Sequence, residues 1–147
     1  MCKQSIYLAS PFFNEYEREL VKKFAKILRE AGHDVFVPME HFIPNGEELP
    51  NHIWGKKVFK IDADAINASN LVIALYHGLY SDSGTAWEIG YAYGIGLPVF
   101  VIHVNKDIEA SVMPVNSATL NVTLDEFSVD CINGLRFGNN SNCVEQK

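Results

Sequence analysis

The chain has 147 residues, 48% of them hydrophobic, and carries 12 basic against 18 acidic side chains, a formal net charge of −6 at pH 7. This length suits one domain with a single hydrophobic core. The acidic balance, without a cluster of Lys or Arg, argues against a nucleic-acid footprint and against binding to anionic membranes. We predict one domain over residues 1–138 and a polar tail over 139–147 that we expect to be flexible.

Cysteine usage and hydropathy bear on the cellular location. The three cysteines, Cys2, Cys131 and Cys143, are odd in number and widely spaced, so we expect free thiols in a reducing compartment. The chain has no run of about 18 apolar residues, and its first residues lack the apolar core of a signal peptide. We therefore expect a cytoplasmic protein.

The first half of the chain alternates strand and helix patterns. Residues 5–10 and 35–37 are short apolar runs, each followed by a proline, which predicts two buried strands. Between them, apolar residues recur at helical spacing after Asn14, a predicted N-cap, and before Gly32. These apolar residues are Leu20, Val21, Phe24, Ile27 and Leu28. Residues 40–50 contain two prolines, a glycine and three acids, which predicts a loop.

The second half continues the alternation. A helical stripe over residues 53–65 precedes the apolar run 71–75, which is typical of a central parallel strand. Turn-forming residues then open a helix over about 85–94, and strands are predicted at 99–102 and 120–123. The pattern predicts an α/β fold, a doubly wound parallel sheet of about five strands with helices on both faces.

Ligands of such sheets bind beyond the carboxyl ends of the strands. Residues 10–13, 40–42 and 77–88 are therefore expected around one site. Within this set, Asp82 and Glu88 are two carboxylates six residues apart.

Glu88 has a structural and a functional interpretation. Thr85 and Glu88 have the spacing of a capping box, in which the glutamate satisfies a backbone N–H at the helix start. Alternatively, Glu88 is a carboxylate nucleophile or base that projects into the crevice. A helix N-terminus favours an anion, so we expect Glu88 to be ionised at neutral pH.

Asp62 and Tyr7 leave the same two alternatives open. Asp62 lies roughly 40° around its helix from Val58 and borders the buried stripe. It is either a helix-end carboxylate that reaches solvent or a charge at the opening of a site. Tyr7 lies within an apolar strand and is either a core residue or a hydroxyl aimed at a site carboxylate.

The remaining polar motifs exclude several classes of site. The histidines lack metal-site spacing, and we expect surface or loop positions for all five, His33, His41, His52, His77 and His103. Neither the dinucleotide nor the triphosphate glycine motif is present, so we predict no metal and no cofactor. Ser10, Phe12 and Phe13 offer an aromatic surface instead. Carboxylates beside aromatic rings suit an uncharged polar ligand with a flat ring, and paired carboxylates are the usual arrangement for glycosyl chemistry.

Three segments, residues 6–13, 60–62 and 82–92, resemble in order the nucleoside 2-deoxyribosyltransferase family. The resemblance covers residues 5–104 and implies a flavodoxin-like fold. It also implies transfer of a 2-deoxyribosyl group between nucleobases through a covalent glutamyl intermediate, with retention at the anomeric carbon. The implied partners are small deoxynucleosides and free nucleobases.

The resemblance also implies roles for individual residues. Glu88 matches the nucleophile, Asp62 a proton carrier near the base, Tyr7 the hydroxyl that positions the nucleophile, and Asp82 the carboxylate that holds the sugar hydroxyl. Further substrate contacts are expected from Ser10, Phe12, Phe13, Gly84 and Asn121. Relatives often form dimer-based homo-oligomers, up to hexamers, in which an asparagine of a neighbour reaches the sugar; Asn121 is the candidate here.

Relatives often have a glutamine after the second strand, and residues 38–42 lack it, which leaves the base preference undecided.

Two other functions remain open from the sequence. One alternative is an N-glycoside hydrolase acting on deoxynucleosides or deoxynucleotides, although a phosphate would need basic or hydroxyl-rich contacts that the sequence does not cluster. The other is a non-catalytic nucleoside-binding module on the same fold.

Overall fold

A computed structural model describes residues 2–135. Its five strands form one sheet in the order β2-β1-β3-β4-β5, and every neighbouring pair is parallel. The strands are β1 (Ser5–Ala9), β2 (Asp34–Phe36), β3 (Leu71–Tyr76), β4 (Val99–His103) and β5 (Leu120–Thr123). The predicted five-stranded parallel sheet is confirmed. The strand order reverses between β1 and β3, where a ligand crevice is expected.

Helices cover both faces of the sheet, as predicted. They are α1 (Glu15–Glu30), α2 (Asn51–Ala68), α3 (Ser83–Gly94), α4 (Val112–Ser117) and α5 (Asp130–Asn133). Because successive strand residues point to opposite faces, Ile6 and Leu8 pack with the α1 and α5 side, whereas Tyr7 and Ala9 pack with the α2 and α3 side.

The start of α1 shows why this helix was predictable. Asn14 is its N-cap: the Glu17 amide donates to the Asn14 side chain at 2.9 Å, and the Glu17 carboxylate accepts from the Asn14 amide at 3.3 Å. Gly32, just beyond the helix end, has φ of +96°, a conformation that glycine adopts without strain. Both helix ends are therefore set by local sequence.

Several element bounds differ from the prediction. β2 begins and ends one residue earlier, and α3 begins two residues earlier. Residues 38–40 and 46–48 form 3₁₀ turns, the second of them inside the predicted loop. Neither α4 nor α5 was predicted, because helices of six and four residues are too short to show an apolar period.

The expectation of free thiols is wrong at Cys2. Cys2 is disulfide-bonded, whereas Cys131 has a free thiol. Thiol usage therefore no longer supports a reducing compartment. In residues 2–135, no helix is long and apolar enough to cross a membrane. Cys143 and the predicted tail, 139–147, lie outside the described residues.

Candidate active site

Residues from three elements converge on the α2 and α3 side of the sheet. Tyr7, in the middle of β1, is fully buried. Burial raises the pKa of Tyr7 far above its usual range, and the nearby carboxyl groups of Glu88 on α3 and Asp62 on α2 raise it further. The fold thus brings together three residues that are far apart in the sequence.

Glu88 occupies an apolar environment with few polar neighbours. Burial raises the pKa of Glu88 to about 8; the Tyr7 hydroxyl opposes this rise, and the negative charges of Asp62 and Asp82 add to it. Within residues 2–135, Glu88 Oε2 and Tyr7 Oη are buried and have no hydrogen-bond partner, so the hydroxyl acts from nearby without a formed bond. A pKa of about 8 favours the protonated form of Glu88 at neutral pH, contrary to the expected anion.

The capping interpretation of Glu88 is also wrong. Asp82 caps α3: its Oδ1 accepts from the Gly84 amide at 3.0 Å and its Oδ2 from the Thr85 amide at 3.3 Å. Glu88 is the sixth residue of α3, beyond the first turn whose amides need a cap. The sequence held this signal, since aspartate is a stronger N-cap than threonine. The Glu88 carboxyl is consequently not engaged by its own helix start.

Gly84 makes the tight cap possible. A Cβ atom at this position would lie 3.0 Å from Asp82 Oδ2, closer than nearly all real contacts of that kind. Glycine therefore lets the Asp82 carboxylate fold over the start of α3, and this is where the structure places both predicted residues.

An aromatic column extends from Tyr7 toward the surface. The rings of Tyr7 and Phe36 stack with centroids 5.5 Å apart, and those of Phe36 and His41 stack at 4.1 Å and 8°. Burial raises the pKa of Asp62, and His41 lowers it. Sequence reasoning expected residues 40–42, and so His41, near the site, but it missed Phe36 and the stack between the two rings. The register of β1 with β2 pairs Tyr7 with Phe36 and so brings these two rings together.

The other predicted contacts lie in different surroundings. Phe12 and Phe13 follow β1, stack with centroids 6.5 Å apart and are both exposed. The buried Ser10 hydroxyl donates to the Pro11 carbonyl at 2.8 Å. Asn121 lies on β5, separated from β1 by β3 and β4, and its side chain contacts the His103 ring and the Val115 carbonyl. Within one chain, Asn121 is not brought to Tyr7 and Glu88.

Comparison with known proteins identifies the family of this chain. The sequence profile of the family described as nucleoside 2-deoxyribosyltransferase matches residues 6–130. The chain belongs to this family. A solved 2-deoxyribosyltransferase from Bacillus psychrosaccharolyticus is 33% identical, with a TM-score of 0.75 over 90% of this chain and 92% of that one. The family and this neighbour indicate that the chain is a nucleoside deoxyribosyltransferase enzyme with a flavodoxin-like fold.

More distant structures share the fold. A CMP N-glycosidase from Clostridium botulinum is 20% identical, with a TM-score of 0.59 over 82% of this chain and 89% of that one. A conserved protein from Enterococcus faecalis V583 is 23% identical, with a TM-score of 0.65 over 82% and 91%. Curated protein sequences gave no match. These two likenesses show the architecture alone.

Two histidines of this deoxyribosyltransferase are more buried than expected. His33 is 4% exposed, and its Nδ1 accepts from the Gln4 amide at 3.0 Å. His77 follows β3, is half-buried, and meets the Tyr16 ring edge-on. Burial lowers the pKa of both imidazoles. Both residues occupy loop positions as expected, His33 between α1 and β2 and His77 after β3, but their burial was not predicted.

A cavity of about 620 Å³ lies between α3 and α4, next to the candidate site. Asp82 borders this cavity together with Ala86 and Gly90 of α3 and with Ser111 and Met113 at α4. Glu88 lies roughly 160° around α3 from Ala86 and Gly90. The cavity and the buried carboxyl group therefore flank opposite sides of one helix, and Asp82 stands at the helix start between them.

Proposed function

We propose that the chain exchanges the base of a 2′-deoxynucleoside for a free nucleobase by a retaining double displacement. In this proposal Glu88 forms a covalent ester with the deoxyribosyl group. The observation that carries the proposal is the position of the Glu88 carboxyl beside the Tyr7 hydroxyl and near Asp62. Two carboxyl groups that flank the scissile glycosidic bond are the arrangement that glycosyl transfer uses.

The chemistry requires one proton on the carboxyl pair. Ionised Glu88 attacks C1′, the C1′–N bond breaks, and its electron pair goes to the base nitrogen, which takes a proton from Asp62. An incoming base then attacks C1′ from the face that the first base left, the C1′–O bond to Glu88 breaks and its electron pair returns to the Glu88 carboxylate, and Asp62 accepts the proton of the incoming base. Two inversions at C1′ give retention. Because like charges disfavour double ionisation, the nearby carboxyls favour the state with one proton that this sequence of steps needs.

Tyr7 supports the nucleophile in this scheme. Its hydroxyl lowers the pKa of Glu88, which favours the anion that attacks. Because burial keeps the Tyr7 hydroxyl protonated, the hydroxyl can donate a hydrogen bond to the Glu88 anion once that anion forms. Tyr7 thus positions Glu88 and does not itself exchange a proton.

Asp82 supports a nucleoside over a nucleotide substrate. The Gly84 and Thr85 amides, which could bind a phosphate at the start of α3, already donate to the Asp82 carboxylate. That carboxylate would repel a 5′-phosphate but can accept a hydrogen bond from a sugar hydroxyl. Phe12 and Phe13 offer exposed rings to the base. We assign deoxynucleosides as donors on this ground.

We also propose that the enzyme is a homo-oligomer built from dimers. Apolar side chains on the rim of the α3–α4 cavity are exposed: Tyr93 is 64% and Met113 76% exposed. An apolar surface of this kind beside Asp82 suits a second copy of the chain that would complete the sugar site. An asparagine such as Asn121 would then act on a neighbour's substrate. A cytoplasmic location stays a prediction.

The test is base exchange. The protein is incubated with adenine and either thymidine or 2′-deoxyinosine, and 2′-deoxyadenosine is measured by chromatography. Glu88→Ala should lower transfer by about three orders of magnitude or more while the circular dichroism spectrum is kept. Mass spectrometry of the quenched wild type should find the deoxyribosyl group on the peptide that contains Glu88. Normal transfer by Glu88→Ala would refute the mechanism.

The same assay separates transfer from hydrolysis. A hydrolase would release free base at a rate that added adenine leaves unchanged, and it would yield no new nucleoside. Thymidine 5′-phosphate is the matched substrate for the nucleotide form of this alternative. If it were consumed faster than thymidine, the role assigned to Asp82 would be wrong.

A further inference from the structure

The α3–α4 cavity is a preformed space that base exchange at Glu88 does not use. Its volume of about 620 Å³ falls in the range of sites for small organic ligands. The lining is mainly apolar and includes the side chains of Leu79, Ile89 and Pro114. A space of this size and composition can hold an organic group of several carbon atoms.

The cavity is open because α3 presents small side chains to it. Ala86 and Gly90 are four residues apart and so lie on the same face of the helix. A Cβ atom on Gly90 would meet nothing within 4 Å outside its own stretch of helix. On the α4 side, the Ser111 amide donates to the Tyr76 hydroxyl at 3.0 Å, which ties the start of α4 to the sheet. The fold thus sets both walls of the cavity.

Asp82 connects the cavity with the proposed sugar site. It borders the cavity, and its carboxylate is held at the start of α3 by the Gly84 and Thr85 amides. In the proposed function this carboxylate accepts a hydrogen bond from a sugar hydroxyl, at the end of the nucleoside where a 5′-phosphate would be repelled. Because the cavity lies on the other side of α3 from Glu88, a group on the 5′ carbon would extend past Asp82 into the cavity while C1′ stays beside Glu88.

The lining determines the chemical class of such a group. Among the described residues around the cavity none is Lys, Arg or His, and Asp82 is the one acid at its border. A phosphate or carboxylate would lose its hydration there without a counter-charge and would meet the negative charge of Asp82. A neutral group with an apolar body gains free energy by leaving water. An N–H next to the 5′ carbon would replace the hydroxyl as the donor to Asp82.

We propose that the α3–α4 cavity is a subsite for neutral apolar groups that the 5′ carbon of the donor carries through an N–H. This inference rests on the proposed deoxyribosyl transfer and names a further class of donor for it. The bonds that form and break are those at C1′, as for an ordinary 2′-deoxynucleoside. The 5′ group takes no part in these steps and passes with the sugar to the new nucleoside. In the proposed oligomer, a neighbouring copy that covers Tyr93 and Met113 would enclose this group.

The first test compares two donors on the wild-type enzyme. Thymidine and 5′-benzamido-5′-deoxythymidine, in which a benzamide N–H replaces the 5′ hydroxyl, are each incubated with adenine, and the adenine nucleoside formed is measured by chromatography and mass spectrometry. If the enzyme uses purine donors alone, the same comparison is made with 2′-deoxyinosine and its 5′-benzamide. We expect kcat/KM for the benzamide to lie within about tenfold of that for the parent donor. A larger loss would overturn the subsite, whereas absence of exchange from both parent donors would instead refute the proposed function itself.

Two further donors test position and charge. One is the isomer with the benzamide on the 3′ carbon and a free 5′ hydroxyl, and the other is the 5′-(4-carboxybenzamide), which adds an anion at the end of the same ring. Each should react at least about tenfold more slowly than the 5′-benzamide. Equal use of the 3′ isomer would show that the site does not distinguish the two ends of the sugar, and equal use of the carboxylate would show that the ring stays outside the cavity. Either result would overturn the subsite.

Gly90→Leu places a side chain in the cavity and tests the location directly. It should lower the ratio of kcat/KM for the 5′-benzamide to kcat/KM for the parent donor at least about tenfold, whereas Gly90→Ala, which adds one methyl group, should leave this ratio within about twofold. Gly55→Leu introduces the same side chain in α2, where a Cβ atom also meets nothing within 4 Å, and is the matched control. A purely structural defect would slow both donors equally, so an unchanged ratio in Gly90→Leu would overturn the subsite.

Discussion

Burial decides the protonation of Glu88 more than its place on a helix does. The field of a helix N-terminus stabilises anions only within about the first turn, and Glu88 lies sixth in α3. Removal of water from around the carboxyl raises its pKa to about 8, against an ordinary value of 4.5. Glu88 must therefore lose a proton before it can attack as a carboxylate.

Replacing Glu88 with glutamine should stabilise the protein at alkaline pH. Between pH 4.5 and about 8 the folded state holds a proton on Glu88 that the unfolded chain has lost, so the free energy of unfolding falls as pH rises through this window. Glutamine removes that loss. The difference in the free energy of unfolding between Glu88→Gln and wild type should widen by about 2 to 5 kcal/mol from pH 4.5 to pH 9.

Urea unfolding at the two pH values measures this gap. Glu47→Gln, which replaces an exposed glutamate, is the matched control for removal of one acidic side chain. Burial also raises the pKa of Asp62, which adds a background loss of the same sign in both proteins. A gap for Glu88→Gln that stays constant with pH would contradict the buried, protonated carboxyl.

At the scale of elements, α3 combines a structural and a proposed functional role in the residue that caps it. Asp82 holds the Gly84 and Thr85 amides and, in the proposed scheme, the sugar hydroxyl. The proposed nucleophile lies on the same rigid helix, six residues further on. One helix therefore fixes the spacing between the group that would hold the sugar and the group that would attack it.

Removing the caps of α3 and α1 should separate these roles. Asp82→Ala should lower the free energy of unfolding by about 0.5 to 2 kcal/mol, as should Asn14→Ala at α1, because each removes an N-cap. Asp82→Asn should keep most of the stability. Only the Asp82 variants should raise the donor KM, since Asn14 has no proposed contact with the sugar. Unchanged KM in Asp82→Asn would argue against the sugar contact; urea melts and initial rates provide both readouts.

Local sequence determines some elements of this fold and leaves others undecided. α1 was predictable because its cap, apolar stripe and terminal glycine all lie within one segment. The start of α3 was misplaced because Thr85 and Glu88 have the spacing of a capping box, although Asp82 is the stronger N-cap. The stack of Phe36 on His41 depends on pairing between two strands that α1 separates, so no local pattern reveals it. The protonation of Glu88 depends on burial by three elements and was missed for the same reason.

At the scale of the whole molecule, the sheet order places all candidate carboxyls on one side. Tyr7 and Ala9 of β1 face α2 and α3, and the helix that follows β3 carries Asp82 and Glu88. The opposite face, covered by α1 and α5, is closed by a separate apolar cluster. One face of the sheet thus serves stability and the other combines stability with the site.

The protein in solution should have a mass of at least twice that of one 16.5 kDa chain. Light scattering after size-exclusion chromatography measures it. Met113→Lys should reduce the mass toward that of one chain and lower transfer, because a charge at the rim of the α3–α4 cavity opposes burial of that apolar surface. Met113→Leu, which keeps the surface apolar, should retain the assembly. A wild type of 16.5 kDa with full activity would refute the oligomer.

The raised pKa of Glu88 has a consequence for inhibitor chemistry. Alkylating reagents such as epoxides react with carboxylate anions, whereas burial raises the pKa of Glu88 to about 8 and its Oε2 atom is buried. Untargeted electrophiles should therefore label exposed acids before this one. An inactivator that carries its electrophile on a deoxyribose analogue should bind in the site and favour ionisation of Glu88 there. Its selectivity would then come from binding rather than from the reactivity of the electrophile.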